Sequence, residues 1–282
     1  MGKTIRAILK AAVYFLIYLG LQMLVGVAAG ILFVSALQRQ NPGMDAAALQ
    51  LALQEMAAQN THYLLLGSGV LTLLTYFLIT AVRQKNFKQE TLLVKNRHPM
   101  HSIVGLGIMC NFLLVFTISL LPISAETLQE YEQLSGVLGT GSIVLQFLSV
   151  GILGPIVEEI AFRGFVQTRL QKGMPIWLAI CLQAAVFAAM HSGILWQAYA
   201  FVLGVIMGFI FAKYHPLWAS IIFHVFFNLG NFLLVFVSVL PGYAVVIMYL
   251  LFIYLSFVLF RKIAKLPPEH VFESSAPEDF RE

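Results

Sequence analysis

Eight stretches of this chain are apolar for about as long as a helix must be to cross a bilayer, and nothing else in the sequence limits its fold as strongly. A spanning helix needs roughly 17–25 such residues. The stretches fall at 11–37, 62–82, 102–122, 142–165, 175–191, 195–213, 216–236 and 243–260. Composition agrees, with 60% hydrophobic and 11% charged residues among 282 and a mean hydropathy of +0.86; soluble domains carry about 25% charged residues. The fold class expected is all-α, a polytopic membrane protein of about eight transmembrane helices. A water-soluble enzyme, a nucleic-acid binder and a disordered chain are excluded. The first run is too long for a signal-peptide core and lacks a small-residue cleavage site, so it is expected to stay in the mature protein. Cys110 and Cys181 sit in apolar runs without metal spacing, which argues against a disulfide framework or a cysteine zinc site.

Charge placement orients the runs. The net charge of +4 comes from short basic clusters between apolar runs rather than from a phosphate-binding face. Lys3, Arg6 and Lys10 precede the first run, and Arg83, Lys85, Lys88, Lys95 and Arg97 follow the second. Arg163, Arg169 and Lys172 end the fourth, Lys213 ends the sixth, and Arg261, Lys262, Lys265 and Arg281 follow the eighth. With eight spans these share one side. Only Arg39 falls on the other, whose loops carry Asp45, Glu55, Glu126, Glu130 and Glu132. The positive-inside rule then puts both termini in the cytoplasm. The Ala-, Leu- and Gln-rich loop 42–60 suits a helix at the interface or one lengthening the second span, and reads as a connector. Residues 1–265 read as a single transmembrane domain without repeats, and 266–282 as a disordered cytoplasmic tail.

The fourth run, SIVLQFLSVGILGPIVEEIAFRGFVQTRL, holds Glu158, Glu159 and Arg163. A charge at mid-bilayer costs about 2.5–3.5 kcal/mol on the insertion scale, so such residues face a protein interior or a wet cavity and mark functional sites by default. Glu159 and Arg163, four residues apart, share a face and can pair. Glu158 points about 100° away and is free for other chemistry. The plainer alternative has both carboxylates binding Arg163 or lying among headgroups. His191 ends the fifth run and by itself reads equally well as a packing histidine bonded to a carbonyl. His224 and Asn228, four apart in the seventh run, also suit an interhelical hydrogen bond. Counted from the turn at 172–175, Glu158 and His191 lie roughly 22 and 27 Å along antiparallel helices, so these groups can share one level.

A carboxylate, two imidazoles and a carboxamide around one cavity suit hydrolysis. A desolvated carboxylate is a stronger base toward water, and one histidine can share that water and later protonate the leaving amine. The other histidine and the asparagine can donate to the oxygen of a tetrahedral intermediate. The sequence has no G-x-S-x-G, H-E-x-x-H or glycine-rich phosphate loop, so serine-hydrolase, zincin and nucleotide readings lack a signal.

EEIAFR (158–163), FAAMH (187–191) and HVFFN (224–228) follow the patterns E-E-x-x-x-R, F-x-x-x-H and H-x-x-x-N. In that order the chain resembles the CPBP family, which includes CAAX prenyl endopeptidases of the Rce1 type and bacterial Abi proteins. The resemblance covers about residues 140–235, the expected catalytic core, and no motif position departs from it. It implies a glutamic-type intramembrane endopeptidase in which Glu158 and His191 activate water and His224 and Asn228 form the oxyanion hole, with Glu159 and Arg163 supporting them. It favours no cofactor; members have also been treated as metalloproteases, and zinc would take Glu158, His191 and His224. The partners expected are the bilayer and a membrane-associated, prenylated or leader-peptide substrate, with no nucleic acid. Localisation is integral and multi-pass, in the cell membrane if the source is bacterial. Two alternatives remain at this stage: a non-enzymatic scaffold or regulator of the same fold, and a proton-coupled transporter using both glutamates.

Other features read as packing. Gly26-x-x-x-Gly30 and Gly204-x-x-x-Gly208 are helix-contact patterns, Trp177, Trp196 and Trp218 an aromatic belt, and His62, His98, His101, His215 and His270 solvated side chains.

Overall fold

The structure is a computed structural model that describes residues 2–91, 100–214, 217–237 and 239–265. Lys95, Arg97, His98, His215, His270 and the tail 266–282 lie outside the described residues. Every regular element among the described residues is helical, and seven helices are long and apolar enough to cross a membrane. The protein is an all-α, multi-pass integral membrane protein.

Helix α1 (Lys3–Gln40) and α2 (Ala46–Val82) are both far longer than a bilayer requires. At 1.5 Å per residue each reaches about 55 Å. The loop expected at 42–60 therefore shrinks to a turn. Asp45 caps α2 by accepting from the Ala48 N–H at 2.8 Å, and the Ala- and Leu-rich stretch after it lengthens the second span. A helical turn at Phe87–Glu90 leads toward α3 (His101–Leu120). Next comes a helix that counting charges does not reveal, α4 (Ala125–Leu138), capped by Ser124 and exposed along much of its length.

Helix α5 (Ile143–Leu170) carries the acidic pair and contains two π-helical segments, Phe147–Leu153 and Ile160–Gln167. Helix α6 (Ile176–Ala189) has only 14 residues. At about 21 Å it falls short of the roughly 30 Å hydrocarbon slab, so the run expected at 175–191 is the short member of the set. Helices α7 (Ile194–Tyr214), α8 (Trp218–Val237) and α9 (Gly242–Ala264) complete the bundle.

The core gathers around the second half of α5. Phe162 and Phe165 are buried against Tyr14 and Tyr18 of α1, with the Tyr14 and Phe165 rings stacked at 4.5 Å. The Tyr76 hydroxyl donates to the Tyr14 carbonyl at 2.8 Å, tying α2 to α1. Arg169, counted among the cytoplasmic charges, is instead only 5% exposed; its guanidinium lies 4.7 Å over Tyr14 and donates to the Gly164 carbonyl. An aromatic face and a bonded carbonyl let a cation leave water at reduced cost.

The two glycine pairs part ways. A Cβ on Gly204 would meet Ala184 at 2.9 Å and one on Gly208 would meet Gln183 at 2.9 Å, so this pair lets α7 close on α6. At Gly26 and Gly30 a Cβ would meet nothing within 4 Å, and the contact expected there does not form among the described residues. Trp177 and Trp218 are exposed at the starts of α6 and α8, whereas Trp196 turns toward Tyr199 at 6.3 Å.

Candidate active site

Glu158 and Glu159 lie mid-helix in α5, between the two π-helical segments. Their surroundings divide them. Glu159 is fully buried; its Oε1 accepts from Arg163 Nη1 at 2.8 Å and from His224 Nδ1 at 2.9 Å. Arg163 is equally buried, donates its other terminal nitrogen to the Gly204 carbonyl at 3.2 Å, and lies 4.7 Å over the Phe187 ring. The spacing of four thus yields the expected pair, and the pair also anchors a histidine from α8. The Glu158 side chain remains 27% exposed, with its Oε2 3.7 Å from His224 Nε2.

Hydrogen-bond partners fix how the imidazoles present themselves. A carboxylate oxygen only accepts, so His224 holds a proton on Nδ1 toward Glu159 and turns Nε2 toward Glu158. His191 sits two residues past the end of α6 with Nδ1 3.0 Å from the Phe187 carbonyl. That carbonyl also only accepts, which leaves the Nε2 of a neutral ring as a lone-pair acceptor. The carbonyl-bonded histidine considered for His191 is therefore present. Among the described residues no hydrogen bond or ion pair joins His191 to Glu158.

Phe187, the first residue of FAAMH, is the hub that the motif hides. Its ring packs edge-on against His191 at 4.8 Å, His224 at 6.1 Å and Phe162 at 5.1 Å, beneath the Arg163 guanidinium. The signal lay in the spacing of four between Phe187 and His191, which stacks the two on one helical face. The turn after His191 is held by Gln197, whose Nε2 donates to the His191 carbonyl at 2.9 Å. Gly193 completes it at φ +79, a left-handed conformation that favours glycine, and a Cβ there would press on Leu134 and Glu130 of α4. Helix α4 thus covers the His191 turn. Its Tyr131 packs edge-on against Trp196 and Tyr199, and burial raises this phenol above its usual range.

Asn228 is placed by a defect in α5. Gly154 N–H bonds the Ser149 carbonyl, five residues back. The next donor in that register would be residue 155, which is proline and has no N–H. The Val150 carbonyl so freed accepts from Asn228 Nδ2 at 2.8 Å. One N–H of the expected oxyanion donor is therefore committed to the backbone, and the second remains for chemistry.

His62 overturns its solvated reading. It is 2% exposed, with Nδ1 2.7 Å from Ser149 Oγ and Nε2 3.0 Å from the Thr140 carbonyl. His101 is exposed, as expected.

Of the residues that zinc would take, Glu158 Oε2 and His224 Nε2 lie 3.7 Å apart. Glu158, His191 and His224 are not gathered as three ligands, and no group of three His, Cys, Asp or Glu side chains among the described residues could hold a metal ion.

Residues 140–230 match the family model described as Rce1-like, type II CAAX prenyl endopeptidase Rce1-like. No curated protein and no solved structure matches the chain. The matched segment is therefore similar to that of CAAX prenyl endopeptidases, a family of peptide-bond hydrolases.

Proposed function

We propose that this chain, Rce1-like over residues 140–230, is an intramembrane endopeptidase of glutamic type, with Glu158 as the base and its basic end facing the cytoplasm. The observation that carries the reading is the division of labour between adjacent carboxylates: Glu159 is fully buried and bonded to Arg163 and His224, while Glu158 stays partly exposed beside the second nitrogen of His224.

In this mechanism Glu158 takes a proton from water, and the hydroxide attacks the peptide carbonyl carbon of a membrane-associated substrate. The carbonyl electron pair moves onto oxygen. His224, held at Nδ1 by Glu159, turns its Nε2 edge to that oxyanion and donates to it through a proton carried there, joined by the second N–H of Asn228. His191 Nε2 accepts a hydrogen bond from the water and steadies it. On collapse the C–N bond breaks, its electrons leave with nitrogen, and the proton held by Glu158 passes to the amine. Arg163 supports the site through Glu159. No step uses a metal.

Purified protein in lipid nanodiscs, given a farnesylated C-terminal peptide carrying a fluorophore and quencher, tests this. Glu158→Gln and His191→Ala should each lower turnover by about 10²-fold or more while remaining monodisperse. Wild-type turnover in both variants would overturn the assignment. Chelation should leave the rate unchanged; a loss restored by zinc would make the site a metal centre.

A further inference from the structure

The buried His62 is used by no step above. We propose that it is a positioning residue for Asn228, acting through the π-helical segment at the start of α5; this rests on the endopeptidase reading for its kinetic consequence.

The path is short: hydrogen bonds at its two ends are joined by the backbone between Ser149 and Val150. His62 reaches from α2 to Ser149 Oγ at 2.7 Å and to the Thr140 carbonyl at 3.0 Å. The Thr140 carbonyl only accepts, so Nε2 carries the proton toward it, while Nδ1 meets Ser149 Oγ, whose single hydroxyl proton is shared with the Leu145 carbonyl at 2.7 Å. The Thr140 hydroxyl is shared between the Val137 carbonyl at 2.8 Å and, as the longer arm, the Ala58 carbonyl of α2 at 3.2 Å. The approach to α5 is thereby latched to α2 at His62 and Ala58, one helical turn apart. Ser149 supplies the carbonyl that Gly154 binds in the wide register. The next residue, Val150, offers the carbonyl that Pro155 leaves free and Asn228 takes at 2.8 Å. His62 thus holds the turn whose unpaired carbonyl orients the carboxamide.

Such a turn needs holding. A π-helical segment has poorer intrinsic stability than an α-helix and persists where surrounding contacts fix it. Only Ser149 and Gly151 are buried among its seven residues, so polar contacts share the holding with partial packing such as Phe147 against Phe232 and Leu153 against the core. Without the clamp the segment is free to rewind, the Val150 carbonyl shifts, and Asn228 loses the bond that aims its second N–H.

The test reads Asn228 directly. In nitrogen-15-labelled protein in nanodiscs, the Asn228 side-chain amide signals are identified by their loss in Asn228→Asp. His62→Ala and Ser149→Ala should shift or broaden them, and His62→Gln, which keeps a donor and an acceptor, should restore much of the wild-type position. With the farnesylated peptide, His62→Ala should lower kcat about tenfold, less than outright removal of an oxyanion donor, with KM unchanged. In an Asn228→Ala background the same change should lower kcat no further. An unmoved Asn228 signal in the clamp variants, or an equal kcat loss in both backgrounds, would overturn the proposal. If His62→Ala does not fold, Ser149→Ala, which removes one hydroxyl, carries the same test. Absence of wild-type turnover would sink the endopeptidase reading alone, since the amide signals still decide the clamp.

Discussion

The two π-helical segments of α5 flank the acidic pair and behave differently. All eight residues of Ile160–Gln167 are buried, and the polar ones cross to α7: Arg163 donates to the Gly204 carbonyl and Gln167 to the Gly208 carbonyl at 3.1 Å. Phe147–Leu153 is half open, with Phe147 41% and Leu148 44% exposed, and two side chains from other helices, His62 and Asn228, bond it. The same winding serves two ends. In the inner segment polar side chains reach outward to lock the scaffold. In the outer segment a freed carbonyl reaches inward and holds a group poised for chemistry.

If that contrast is right, the largest stability losses belong to the inner segment. Replacing Arg163 alone by Met leaves the buried Glu159 carboxylate without its arginine, and should cost about 3–5 kcal/mol in denaturant titration. Replacing both partners, as Glu159→Leu with Arg163→Met, should recover part of that loss, because no buried charge is left and only the His224 Nδ1–H loses its acceptor. Next comes the α6–α7 contact. Gly204→Val forces a side chain into Ala184 and should cost about 1–3 kcal/mol, whereas Gly26→Val, facing open space, should change unfolding by less than about 0.5 kcal/mol. Ser149→Ala in the outer segment should cost about 1 kcal/mol of stability, with its main effect on turnover.

How much of this the chain disclosed depends on whether the information was local. The Glu159–Arg163 pair was readable because both partners lie on one helix, where a spacing of four sets their distance. That Glu159 also takes His224 depends on how α8 is rotated against α5, which no single helix encodes. Asn228 was legible as a polar group in an apolar run, but its partner was hidden because a wide turn and a proline shift which carbonyl is free. His62 follows Asn60 and Thr61 and looks like an interfacial residue; its burial comes from the return of the chain at 139–142. Helix α4 left a signal that charge counting passes over, since Ser124 before Ala125–Glu126–Thr127 is a capping sequence. The apolar runs found the helices, while boundaries followed turns: Asp45 extended α2, and α6 stopped at Ala189.

The division between the neighbouring carboxylates is the claim on which the rest stands, and one paired measurement tests it most directly. Turnover and thermal midpoint are recorded side by side for Glu158→Gln and Glu159→Gln in nanodiscs. We expect Glu158→Gln to lose turnover by about 10²-fold or more at a near wild-type midpoint, and Glu159→Gln to lower the midpoint clearly. Wild-type turnover in Glu158→Gln, or a Glu159→Gln protein as stable as the parent, would contradict the account.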